Sequence, residues 1–153
     1  MKRTLSMLAV LAVLAVAASA QDKPNFVGTW KLTDPAQPDQ FTATQIVVAQ
    51  DATLLTVTTT SQIGEFKTTY KLDGTEGRSP LDFNGQTIDR MTKATWNGNK
   101  LTLVTSSEMG GQVFEFKSVV SLSADGAMVI ESTFPDFQGG GAPITAKATY
   151  KKA

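Results

Sequence analysis

Beyond Pro38, apolar and polar positions alternate along the chain with a period of two. Successive strand residues point to opposite faces, so this pattern describes strands that are dry on one side and wet on the other. In EFKTTYKL at 65–72, Phe66, Thr68, Tyr70 and Leu72 share one face; Glu65, Lys67, Thr69 and Lys71 share the other. QVFEFKSVVSL at 112–122 sends Phe114, Phe116, Ser118, Val120 and Leu122 one way, and APITAKATYKK at 142–152 does the same with Ile144, Ala146, Ala148 and Tyr150. Turn signals separate the runs: Asp73-Gly74, Asn84-Gly85, Asn97-Gly98, Gly110-Gly111 and Asp125-Gly126. Such pairs supply the positive φ angles of tight hairpins. The pattern predicts strands near 41–49, 53–60, 65–72, 87–96, 100–107, 112–122, 127–134 and 143–151, with another at 26–32.

No segment after the first twenty residues shows a helical period. Hairpin-linked strands of similar length leave two unpaired edges unless the sheet closes, and closure removes them. The turns are short and there are no long crossovers, which favours a barrel over an open sandwich. The expected fold is all-β, a single antiparallel meander β-barrel of about eight to ten strands preceded by a signal-peptide helix.

That preceding segment is MKRTLSMLAVLAVLAVAASA. Lys2 and Arg3 form a basic start, an apolar stretch follows, and Ala18-Ser19-Ala20 is an A-x-A cleavage site. The apolar stretch is shorter than the ~20 residues a membrane span needs. The expectation is a signal peptide at 1–20 cut after Ala20, leaving one barrel domain at 21–153 in the periplasm or the medium with no stable membrane anchor.

The whole chain carries 14 basic and 14 acidic residues, and loss of Lys2 and Arg3 leaves it slightly acidic. That balance argues against a nucleic-acid partner. The chain has no Cys and no His. Disulfides, thiol nucleophiles and histidine triads are therefore excluded, and the commonest metal ligands are missing. We expect no enzyme, no cofactor, no metal, and a monomer.

Phe26-x-Gly28-x-Trp30-Lys31-Leu32 ahead of a run of hairpins resembles the first strand of the calycins: lipocalins, fatty-acid-binding proteins and their bacterial lipocalin-like relatives. The resemblance implies that Trp30 plugs the closed end of the barrel and that Gly28 lets backbones approach. Trp96-Asn97-Gly98, Ala124-Asp125-Gly126 and Ala148-Thr149-Tyr150-Lys151 resemble the fatty-acid-binding branch. Two positions depart from that branch. TDPAQPDQ at 33–40 replaces its helical lid, and Ala148 stands where its Arg-x-Tyr has arginine, with Lys147 on the water-facing side.

The expected ligand-lining residues are Tyr70, Arg90, Trp96, Phe114, Phe116 and Tyr150, with Trp96 as fluorescent reporter of the cavity. Arg90 shares a face with Ile88 and Trp96, which leaves three readings: a contact for an anionic head group, a buried partner of a barrel carboxylate, or an outward residue beside an acidic neighbour. Tyr70 and Tyr150 are polar tips in a cavity or ordinary core tyrosines. The loop FPDFQGGGAP at 134–143 is a mouth flap, a partner-binding patch, or a loose hairpin whose Phe137 tucks back. The function these readings favour is an exported carrier of a small apolar or amphipathic molecule. The alternative is a barrel with a filled core that works through its surface, as an inhibitor or an envelope assembly factor. A cavity of about 300 Å³ or more favours the carrier; a packed interior with exposed Phe137 favours the alternative.

Overall fold

The computed structural model describes residues 23–137 and 140–153, and the predicted signal peptide lies outside them. The described residues form twelve strands and no helix. They are β1 (Gly28–Asp34), β2 (Gln45–Gln50), β3 (Leu54–Ser61), β4 (Gly64–Lys71), β5 (Gly77–Arg78) and β6 (Leu81–Phe83), followed by β7 (Gln86–Ile88), β8 (Arg90–Asn97), β9 (Lys100–Met109), β10 (Gln112–Leu122), β11 (Met128–Phe134) and β12 (Ile144–Lys152). Eight of the nine predicted strands are present, displaced by a few residues at their ends. The one predicted at 87–96 is broken at Asp89 into β7, which pairs with β6 outside the main sheet, and β8, so Ile88 does not share a strand face with Arg90 and Trp96.

Ten strands make one antiparallel sheet in the order β4-β3-β2-β1-β12-β11-β10-β9-β8-β5, and β6–β7 form a separate hairpin. Sequence neighbours pair from β1 to β4 and from β8 to β12; β1 also pairs with β12, which joins the first and last strands, and β5 pairs with β8 across the β6–β7 hairpin. The turns explain the connectivity. Asp51 Oδ1 accepts from the backbone N–H groups of Thr53 and Leu54 at 2.7 and 2.8 Å, and Asp73 Oδ1 does the same for Thr75 at 2.9 Å. The backbone bonds from Thr53 and Leu54 lower the pKa of the Asp51 carboxyl, and the Thr75 hydroxyl, followed by the Thr75 backbone N–H, lowers that of Asp73. Between β8 and β9, Gly98 sits at φ 62°, the conformation that favours glycine.

The expected closed barrel is nearly closed. No backbone ladder joins β4 to β8; side chains lace the seam instead. Thr92 Oγ1 donates to Thr69 O at 2.8 Å, Thr69 N donates to Ser79 Oγ at 3.0 Å, and Arg90 Nη2 donates to Lys67 O at 3.1 Å. A bare strand edge is a site for unwanted pairing, and here side chains meet Lys67 O and both the N–H and C=O of Thr69 on the β4 edge. The 72–88 connection supplies β5 to this edge and folds β6–β7 over it.

One end of the barrel is closed. There Phe26, Trp30, Leu55, Leu101 and Met128 are fully buried, and Trp30 Nε1 donates to Phe26 O at 2.8 Å. Gly28, at φ 138°, leaves room for Lys152: a Cβ there would lie 2.7 Å from its Cε. The Lys152 ammonium in turn sits 5.4 Å from the Trp30 ring centre. The segment 35–44, the loops 62–63 and 110–111, and residues 135–137 and 140–143 lie at the opposite end, the mouth.

Candidate binding site at the barrel mouth

Directly opposed residues of an antiparallel pair share a face, so the register stacks the interior into rungs. Below the Met109–Gln112 pair at the rim lie Arg90, Ser107 and Phe114; next come Thr92, Thr105 and Phe116. The third rung is Ala94, Leu103, Ser118, Ser132 and Ala146, and the fourth is Trp96, Leu101, Val120, Ile130 and Ala148. Polar side chains and the phenylalanines of β10 therefore occupy the mouth half, and the closed half is largely aliphatic, with Phe26, Trp30 and Trp96 near its base.

The closed half is packed. The space left among its core residues is about 30 Å³, bounded by Phe26, Ile46, Val48, Leu55, Leu101 and Met128 among others. A larger hollow of about 260 Å³ lies on the outer wall, beside Glu76, Met91, Lys93, Val104, Ser106 and Glu115. The mouth half is open to solvent from within. Ala146 faces inward by register yet is exposed, while Ser118 and Ser132 are half-buried and hydrogen-bonded to each other at 3.1 Å.

Arg90 reaches from β8 across the seam. Its Nε donates to Ser79 O at 2.9 Å, and its Nη2 donates to Lys67 O and to Thr68 Oγ1, each at 3.1 Å. The two N–H groups of Nη1 have no protein acceptor among the described residues, and no carboxylate there pairs with the guanidinium. The neighbouring Asp89 is ion-paired with Arg78 instead. Burial pulls the Arg90 pKa below the ordinary arginine value, partly opposed by the Tyr70 phenol nearby. The cation is thus half-buried, partly desolvated and without a counterion.

Tyr70 is buried, and its hydroxyl lies 3.0 Å from Thr105 Oγ1. Burial pushes its pKa up, with the Thr105 hydrogen bond and the Arg90 charge acting the other way. The Tyr150 hydroxyl donates to Ala43 O at 3.0 Å, and burial pushes that phenol up to about 12. Both phenols are satisfied within the protein. Around the mouth, Phe137 packs 5.4 Å from Phe114 and 6.0 Å from Phe116, ring centre to ring centre, and Phe66 lies 5.8 Å from Phe83. Phe137 nevertheless remains 59% exposed.

The structure brings Arg90, Phe114 and Phe116 together, with Tyr70 beneath them, and sets Trp96 apart. Trp96 lies at the closed end, stacked on Phe26 with ring centres 6.1 Å apart and Lys23 Nζ over its face at 5.4 Å. It faces inward but views a different space from the mouth residues. Gly28 and Trp30 lie at that same closed end. Ser79, buried and central to the seam, had no periodic signal, since it lies in the irregular 72–88 connection. Among the described residues no cluster of acidic side chains could hold a metal ion.

No family model matches the chain, and no curated protein matches it in sequence. Solved structures do match. One is the crystal structure of a mutant of the fluorescent protein UnaG, 21% identical, covering 84% of this chain and 96% of that one with a TM-score of 0.53. The fold is calycin-like. At that identity the likeness concerns the barrel alone, and the case for a calycin-like pocket in this chain rests on its own mouth residues.

Proposed function

We propose that this chain is an exported calycin-like binding protein, not an enzyme, that holds a small amphipathic molecule in the mouth half of its barrel as a monomer. The observation that carries this reading is the half-buried Arg90 with no carboxylate partner and two unused N–H groups, beside an aromatic cup. A half-buried cation without a counterion, its Nη1 open to the mouth, is suited to an anion delivered by a ligand. Phe114, Phe116 and Phe137 would cover the ligand's apolar part. The test is a fluorescence titration with anilinonaphthalene sulfonate, an aromatic anion. The expected result is saturable binding that Arg90→Gln weakens by about tenfold or more, as loss of a charge-assisted hydrogen bond implies. Absence of saturable binding by the wild-type protein would sink the proposal.

The filled closed half and the exposure of Phe137 favour a second reading, a barrel that works through its surface. It predicts that Phe137→Ser abolishes association with a partner protein while small-molecule binding is absent in both forms. Saturable binding of the probe at the mouth decides for the first reading.

A further inference from the structure

The interior is blocked below the mouth, and this constrains what the proposed site can accept; the argument rests on that site being a binding site. We infer that the cup has a floor at mid-barrel, so that it takes compact anions, rings or short chains bearing a carboxylate or sulfonate, and excludes long acyl chains from the interior. Tyr70 forms the floor. Its side chain crosses from β4 to Thr105 on β9, with the Ser118–Ser132 hydrogen bond on the facing wall. Beneath it Leu55, Leu101, Leu103, Val120 and Met128 are buried. The space left among the core residues there is about 30 Å³. Ligand pockets run to roughly 300–1,000 Å³, so a chain could enter only by displacing packed side chains.

Above the floor the depth is limited too. Ser107 stands opposite Arg90, and three residues further the strand turns at Gly110. That is about 10 Å of strand at the usual rise per residue. An acid group held at Arg90 therefore leaves a long tail in solvent, whereas a ring of similar depth lies wholly against Phe114, Phe116 and Phe137. A chain that kept entering apolar space would bind about fourfold tighter per added methylene. The floored cup ends that gain early.

The experiment displaces anilinonaphthalene sulfonate from the full protein with straight-chain carboxylates from butanoate to hexadecanoate, and with naphthoate, each below its micelle concentration. Affinity should rise to about octanoate and then stay flat, with naphthoate at least as tight as the plateau. Tyr70→Ala removes the floor and Tyr70→Ala with Leu103→Ala also opens the space beneath it, and either variant, if folded by circular dichroism, should bind hexadecanoate at least about tenfold tighter than the wild type. Affinity that keeps rising to hexadecanoate in the wild type would overturn the floor and leave the binding function standing. A plateau unchanged in the folded variants would overturn it as well. If neither variant folds, the wild-type series decides alone. Failure of every carboxylate to displace a bound probe would remove the Arg90 site itself, a different failure from that of the floor.

Discussion

Replacing Trp30 with alanine tests the closed end. The indole is 2% exposed and is among the largest fully buried side chains. Truncating a buried tryptophan costs about 3–5 kcal/mol through lost transfer energy and the cavity left behind. The substitution also strands the carbonyl of Phe26, now bonded to Nε1 at 2.8 Å, which adds about 1 kcal/mol. It removes the ring beneath the Lys152 ammonium as well. We expect a loss of about 4–5 kcal/mol, a large share of the roughly 5–15 kcal/mol that holds a domain folded. Urea titration followed by far-ultraviolet circular dichroism measures it, and Trp96, the other tryptophan, reports on the same end. Trp30→Phe separates the contributions, since it keeps most of the apolar volume and loses the N–H; its cost should be about 2 kcal/mol. A loss below about 1 kcal/mol for Trp30→Ala would refute the plug. Equal losses for the two variants would show that the hydrogen bond, and not the filled volume, holds this end.

Thr92→Val keeps the shape of a fully buried side chain but leaves Thr69 O without its donor at the seam, for an expected loss of about 1–3 kcal/mol; an unchanged urea midpoint would show the lacing to be dispensable. Tyr150 is pushed up to about 12 by burial and Tyr70 is raised as well, while an unfolded tyrosine titrates near 10. The Tyr150 contribution is therefore fully present below pH 10 and lost as pH rises to about 12, with Tyr70 acting in the same direction, and Tyr150→Phe should make that fall shallower; a wild-type midpoint constant across this window would contradict the burial. Protein recovered from the periplasm or the medium should begin at Gln21 by intact mass, and a full-length membrane-bound species would overturn the export proposal.

Strand alternation and turn dipeptides made most of the sheet legible. Asn97-Gly98 and Asp125-Gly126 mark real hairpins, and the predicted faces of β4, β10 and β12 match the observed registers. Height was not legible. Alternation says which face a residue occupies and nothing of its level, so Arg90 and Trp96 share a face while lying six residues apart along β8, about 20 Å at the usual rise. One belongs to the mouth and the other to the closed end. The seam was hidden for a related reason. Hairpin signals pair sequence neighbours, whereas β4 and β8 meet only because the rest of the sheet curls round to bring them together, across a connection whose turn residues gave no strand period. The state of the interior was equally out of reach, because the same inward residues can fill a barrel or line it, and packing settles that.

The pairing of β1 with β12 sets the order of events in folding. Trp30 lies opposite Lys152, and the N–H of Ala153 donates to Thr29 O at 2.9 Å. The strand that carries the plug therefore gains one of its two neighbours only when the last strand has been made. Hairpins β2–β3–β4 and β8–β9–β10 can form locally, but closing β1 on β12 spans more than a hundred residues, a loop whose entropy must be met before the core is complete. A chain emerging from a ribosome or a translocation pore would stay without its finished core until its C-terminal strand is free. Such delay suits threading through a membrane, and it makes removal of β12 an all-or-none injury: the shortened chain should lack cooperative unfolding altogether, not merely unfold at a lower temperature.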